Sequence, residues 1–112
     1  MIKENEKVLL KIRVNSSETK NGVSVYEQII LRAKGLGLKG ATATKAIIGY
    51  IGDGEIQKPR LLSLTENLPV IIEIIDTGEK INQLMSELDG IIENGLVSVE
   101  RVNSVCKHRG SQ

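Results

Sequence analysis

Apolar and polar residues alternate with period two from about Lys7 to Val14. Val8, Leu10, Ile12 and Val14 fall on one side, and Leu9, Lys11 and Arg13 on the other, which predicts a half-buried β-strand. Asn15 to Gly22 is polar and reads as a loop. Ser24 followed by Glu27 has the spacing of a capping box. Tyr26, Ile29, Ile30, Ala33 and Leu36 then keep helical spacing until Gly35, Gly37 and Gly40 end it. Ala41 to Tyr50 reads as a second strand, and Ile51 to Arg60 as a loop carrying Gly52, Asp53, Gly54 and Pro59. Leu61, Leu62 and Leu64 begin an apolar return, and Pro69 to Ile75 is the strongest strand in the chain. Val70, Ile72 and Ile74 line one of its faces, Ile71 and Ile75 the other. Asp76 with Glu79 reads as a capped helix start. Ile81, Leu84, Met85, Leu88, Ile91 and Ile92 make an apolar helical stripe. Gly95 resets the chain before a last strand, Leu96 to about Lys107.

The order β-α-β-β-α-β predicts an α+β fold, a ferredoxin-like sandwich over residues 1–112 as a single domain. Two crossover helices should cover one face of a mixed, mostly antiparallel sheet. The other face should be polar in a monomer. Instead the third strand is apolar on both faces and Leu9 points outward from the first, so the open face is expected to be buried against other subunits.

Composition narrows the function. Fifteen Lys and Arg against fourteen Asp and Glu give a net charge of +1, with no bulk attraction to nucleic acid or anionic membrane. Cys106 is the only cysteine, which fits a reducing compartment and leaves no C-x-x-C for a metallochaperone. The polar start Met1 to Lys7 has neither the pattern of a signal peptide nor that of a transit peptide, and the longest apolar run is too short to span a bilayer. The expected location is the cytoplasm. RNA-recognition modules share this topology but need aromatic platforms on the central strands. Here the outward positions are Leu9, Lys11, Arg13, Ile71, Glu73 and Ile75, without a ring among them.

Gly35 to Gly40 spells G-x-G-x-x-G, but it closes a helix where a dinucleotide fingerprint must open one. Its glycines are better explained as helix-ending positions. The run Gly49-Tyr50-Ile51-Gly52-Asp53-Gly54 lacks the Gly-Lys-Ser/Thr of a P-loop. It reads either as a flexible turn or as a loop whose backbone N–H groups receive an anion, with Lys45, Lys58 and Arg60 nearby. Catalytic constellations are poor: His108 is the only histidine, carboxylates are unpaired, and Cys106 has no activating partner in view. No catalytic or metal-binding set is expected, and Asn15-Ser16-Ser17, a formal glycosylation acceptor, carries no meaning without a secretory signal.

Several stretches together are familiar. Gly37-Leu38-Lys39-Gly40-Ala41-Thr42, Ile48-Gly49-Tyr50, Leu64-Thr65-Glu66-Asn67-Leu68-Pro69-Val70-Ile71-Ile72-Glu73-Ile74-Ile75-Asp76 and Gly95-Leu96-Val97 resemble the bacterial and archaeal PII-like family known as domain of unknown function 190. The resemblance covers nearly the whole chain and is most specific from Leu64 to Asp76. It implies a PII-like homotrimer, related in fold to nitrogen regulatory PII proteins and CutA. In PII proteins small effectors, notably adenine nucleotides, bind in clefts between subunits beneath a projecting loop. Carried over, that loop is about Ile51 to Arg60, with Gly49, Tyr50 and Gly52 at its root and Lys58 and Arg60 at its far end. Lys107 and Arg109 match the basic residues that PII proteins place on the last strand.

The leading expectation is a non-enzymatic regulatory protein that binds a small anionic effector, with an adenine nucleotide the first candidate. It would act through the 51–60 loop on a protein target, with a membrane transporter or channel the candidate class. The alternative is a ligand-free structural or metal-related trimer of CutA type, and a small enzyme is the third reading.

Overall fold

The computed structural model describes residues 6–59 and 67–104. Four strands form the main sheet: β1 (Lys7–Asn15), β4 (Thr42–Lys45), β5 (Pro69–Thr77) and β6 (Leu96–Arg101), in the order β4-β5-β1-β6. A small hairpin, β2 (Thr19–Lys20) and β3 (Val23–Ser24), precedes helix α1 (Val25–Gly35), and helix α2 (Gly78–Leu88) follows β5 directly. The three pairings of the main sheet are all antiparallel, more uniform than the mixed sheet expected from the sequence.

Period-two patterning in β1 and β5 sets the layers. Val8, Leu10, Ile12 and Val14 pair with Asp76, Ile74, Ile72 and Val70 and turn toward the helices. With Val25 and Ile29 of α1 and Ile81 and Leu84 of α2 they form a core of aliphatic side chains. Each fully buried one stabilises the fold by about 1.5–3 kcal/mol relative to exposure. The opposite face carries Leu9, Lys11 and Arg13 against Ile75, Glu73 and Ile71, as the alternation predicts. Met85, within the predicted stripe of α2, is instead 37% exposed.

Local structure corrects several expectations. The polar run before α1 is not a plain loop: Asn21 and Gly22 have φ of 54° and 81° and close a hairpin. Asn-Gly suits that turn because both central residues need positive φ. Gln28 pins the hairpin, its amide donating to the carbonyls of Lys20 (2.8 Å) and Val23 (3.0 Å). Ser24 is the N-cap of α1, yet its side chain makes no capping hydrogen bond, so the capping box does not form. The helix ends as predicted. Gly37 (φ 81°) donates to Lys34 O, and Leu38 N–H reaches Ala33 O at 3.1 Å, the paired bonds of a Schellman ending.

The second predicted strand is shorter than Ala41 to Tyr50. Only Thr42–Lys45 pairs with β5. The last strand ends at Arg101, short of Lys107, and Leu61, Leu62 and Leu64 lie outside the described residues. The cap of α2 is Thr77, whose hydroxyl accepts from Lys80 N–H at 3.3 Å. Asp76 belongs to β5 and does other work. It is 5% exposed, and its carboxylate accepts from Lys39 N–H (3.0 Å) and Thr77 N–H (2.8 Å). Lys80 Nζ donates to Leu36 O at 3.1 Å. Together these tie the turn after α1 to the start of α2.

Asp76→Ala should orphan two backbone donors, each worth about 1–3 kcal/mol when left unsatisfied. Urea denaturation is expected to show a loss of roughly 2–4 kcal/mol; a variant as stable as the parent would show that the carboxylate does not hold this junction. Gly95→Ala should also destabilise. An added Cβ would lie 2.7 Å from the Arg13 carbonyl oxygen and 3.1 Å from Val14 Cγ1, forcing β6 off β1. The expected cost is about 1–3 kcal/mol, read as a lower melting temperature.

Candidate functional site at the root of the 46–59 arm

β4 leaves the sheet at Lys45, and Ala46 N–H extends the ladder one step by donating to Pro69 O at 2.8 Å. The chain then makes a short arm. Gly49 and Gln57 exchange two backbone hydrogen bonds: Gly49 N–H to Gln57 O (3.0 Å) and Gln57 N–H to Gly49 O (2.6 Å). Inside that bridge Gly54 N–H donates to Ile51 O at 3.0 Å, closing a turn whose first central residue is Gly52 with φ 59°. Glycine is favoured there because a side chain is strained at that φ.

The root of the arm lies over one end of the open sheet face. A Cβ on Gly49 would stand 3.2 Å from Pro69 Cγ. Pro69 pairs with Asn15 and shares the strand face of Ile71, which is the open side. Between β1 and β5, Ser16 closes the sheet end: its N–H donates to Leu68 O (2.8 Å) and its hydroxyl accepts from Leu68 N–H (2.9 Å). Three buried side-chain oxygens near this end, Asn15 Oδ1, Glu18 Oε2 and Gln57 Oε1, have no hydrogen-bond partner among the described residues. From the end of β4 outward the arm carries uncovered apolar side chains. Ile47 is 82% exposed, Ile48 58%, Tyr50 64% and Ile56 67%.

The structure places Gly49, Tyr50, Gly52 and Lys58 together on this arm, with Tyr50 and Lys58 exposed. Gly49 does not offer its amide to a ligand, since Gln57 takes it. Gly49 serves instead to let the backbone pass close over Pro69. Arg60, Lys107 and Arg109 lie outside the described residues. β6 runs away from the arm: Leu96 pairs with Arg13 and Arg101 with Val8. The end of β6 is therefore about 23 Å along the strands from Asn15, taking roughly 3.3 Å per residue, and at the opposite edge of the sheet. Gln57, Asn15 and the exposed isoleucines had no functional signal in the sequence; an isolated Gln or Ile shows its neighbours only after folding.

Among the described residues no group of three or more His, Cys, Asp or Glu is arranged to hold a metal ion. Elsewhere, a hydrogen bond from Lys20 holds the Glu93 carboxyl below its ordinary pKa, tying the β2–β3 hairpin to the segment before β6. Both groups are solvent-accessible, and the pair links two segments far apart in the chain.

A two-helix layer on a sheet ordered β4-β5-β1-β6, with an arm between β4 and β5, defines a ferredoxin-type chain of the PII and CutA kind. The chain belongs to the DUF190 family (Uncharacterized ACR, COG1993), whose model matches residues 7–104. A UPF0166 protein from Aquifex aeolicus is 41% identical over 100 residues, 89% of this chain and 94% of that one. A UPF0166 protein from Methanocaldococcus jannaschii is 36% identical over 92 residues, 81% of this chain and 84% of the other. Among solved structures, a PII-like signaling protein from Thermus thermophilus aligns with TM-score 0.61 at 20% identity, covering 88% of each chain. The divalent ion tolerance protein CutA1 from Ehrlichia chaffeensis aligns at 0.59 and 12% identity, covering 93% of this chain and 88% of that one. GlnK of B. subtilis aligns at 0.53 and 12%, covering 94% of both. At these identities the structural likeness establishes the fold.

Among the described residues the arm is held by few backbone bonds, so its order should be graded. In hydrogen exchange, amides between Ile51 and Ile56 are expected to exchange fastest, Gly49 and Gln57 more slowly, and Val70 to Ile75 slowest. Protection of the arm tip equal to that of β5 would contradict this picture.

Proposed function

We propose that this protein is a non-enzymatic regulatory module that works as a homotrimer. It binds a small anionic effector at the clefts between subunits and passes the signal through the arm to a protein target. The observation that carries the reading is the arm itself: a segment fastened by the Gly49–Gln57 bridge, with Ile47 and Ile48 exposed before the bridge and Tyr50 and Ile56 exposed within it. Exposed apolar groups clustered on one segment mark a contact surface. The trimer is supported by the open face, where Ile75 and Leu96 are 43% and 52% exposed beside Leu9 and Ile71. The cleft is supported by the separation of the arm root from the end of β6, which a neighbouring subunit would bring together.

An adenine nucleotide is the first candidate effector. Its phosphates would meet Lys58, Arg60, Lys107 and Arg109. A cytoplasmic location and a transporter or channel as target belong to the same reading; no described helix is long and apolar enough to cross a membrane. The ligand-free trimer of CutA type is the rival, favoured by the alignment with CutA1.

Calorimetric titration with AMP, ADP, ATP and cyclic nucleotides tests the effector. Binding below millimolar is expected, and removing a true phosphate contact by Lys58→Ala, Arg60→Ala, Lys107→Ala or Arg109→Ala should weaken it roughly tenfold to a hundredfold. For Lys58→Ala fold stability should hardly move, because that side chain is exposed and an exposed charge contributes little to it. No binding below millimolar would favour the ligand-free trimer. Light scattering at micromolar concentration should report three subunits. Ile71→Lys should break the assembly by placing an unpaired charge in the buried face; a stable parent monomer would refute the trimer.

A further inference from the structure

Four steps of the chain join Asn or Asp to glycine: Asn21–Gly22, Asp53–Gly54, Asp89–Gly90 and Asn94–Gly95. Such a step can modify itself, because an unhindered glycine nitrogen can reach the side-chain carbonyl carbon before it. The fold treats the four differently. Asn21 has φ 54°, and in that left-handed conformation the Gly22 nitrogen stands opposite Cβ, out of reach of the side chain. Gln28 holds the hairpin there by bonding the carbonyls of Lys20 and Val23. At Asp53 the Gly54 N–H is committed to Ile51 O, and a carboxylate is a weaker electrophile than a carboxamide. Asp89 is helical, with φ −57° and ψ −36°, which turns the Gly90 nitrogen away from its carboxyl. Asn94 is under none of these restraints. It is exposed and has negative φ, and among the described residues neither its carboxamide nor the Gly95 N–H has a hydrogen-bond partner. We propose that Asn94–Gly95 is a site of spontaneous deamidation in the folded protein, and that its iso-linked product unfastens β6.

The Gly95 nitrogen attacks Asn94 Cγ and loses its proton. The Cγ–Nδ2 bond breaks, ammonia leaves, and a five-membered succinimide remains. Water then opens the ring. Cleavage at Cγ leaves an aspartyl residue at position 94. Cleavage at the backbone carbonyl leaves an iso-linkage, whose main chain runs through Cβ and is longer by a methylene. The balance is water added and ammonia released, with nothing oxidised or reduced. The fold has no slack for the longer link. Upstream, the N–H groups of Ile91 and Ile92 bond to Leu88 O and fasten the end of α2. Downstream, a mere Cβ on Gly95 would lie 2.7 Å from Arg13 O, and Leu96 opens the β6 ladder opposite Arg13. The added length must push Gly95 off β1 or shift that first pair. Among the described residues β6 is an edge strand held by β1 alone, so losing this register loosens the whole strand. The reaction is irreversible and acts on each molecule as it ages, so β6 carries a record of the protein's age.

The full chain is aged in warm, mildly alkaline buffer and followed by peptide mass spectrometry, with the same chain in urea as the reference. In the folded protein Asn94 should show the mass change of carboxamide to acid several-fold faster than Asn21. In urea, where the hairpin no longer protects Asn21, the two rates should converge. Conversion at Asn94 no faster than at Asn21 in the folded protein overturns the assignment. Asn94→Gln, whose longer side chain closes a ring far more slowly, should abolish the fast conversion, and a fast conversion that persists in it overturns the assignment too. The consequence is tested separately. The iso-linked fraction, identified by labelling with isoaspartyl methyltransferase, is compared with Asn94→Asp, which carries the same charge on an ordinary main chain. Hydrogen exchange of the β6 amides should be several-fold faster in the iso-linked fraction and parent-like in Asn94→Asp. Equal exchange in the two overturns the unfastening of β6.

Discussion

β1 and β5 pair along nine residues, Lys7 to Asn15 against Thr77 to Pro69, and the rest of the molecule takes its position from that ladder. Its register decides which residues of both strands face the helices. A slip by one residue would turn Ile72 and Ile74 toward the open side and bring Glu73 into the core. The ladder also fixes both ends of the sheet. At one end Asp76 reaches Lys39 and Thr77 and sets where α1 stops and α2 starts. At the other, Pro69 beside Asn15 forms the floor on which the arm rests.

The open face follows from the same pairing. Lys11 and Glu73 meet across it at 3.7 Å, with side chains 31% and 51% exposed. An ion pair this exposed contributes little, on the order of 0–1 kcal/mol. Around it Leu9, Ile71, Ile75 and Leu96 are apolar, and the net effect is a surface poorly suited to water. In a trimer with that face buried, the pair would lose its solvent and become a specificity element, because separating its charges would then be costly.

Much of the fold was legible because the signals were local. The alternation in β1 and β5, the stripe in α2 and the glycines after α1 each express a period or a backbone preference that few neighbours can override. The misreadings have physical causes. Asn21-Gly22 is a strong turn signal, but two-residue strands are too short to show alternation. Asp76 looked like a helix cap from its place before Glu79. It is a strand residue whose carboxylate satisfies amides 37 residues and one residue away in sequence. Ala41 to Tyr50 has the composition of a strand, yet it pairs only as far as the partner edge of β5 lets it.

The sequence by itself determined the layer architecture, the helix face of the sheet and the position of the loop between the second and third strands. Those features depend on residue type and spacing along one chain. Tertiary structure alone decided that Gln57 would take the amide of Gly49, that Gly49 would pass over Pro69, and that Ile47, Ile48 and Ile56 would stand uncovered. It also decided that the arm and β6 would lie at opposite edges of one sheet. These are relations between segments far apart in the chain, and no periodicity records them. They exist only once the β1–β5 ladder has brought the segments together.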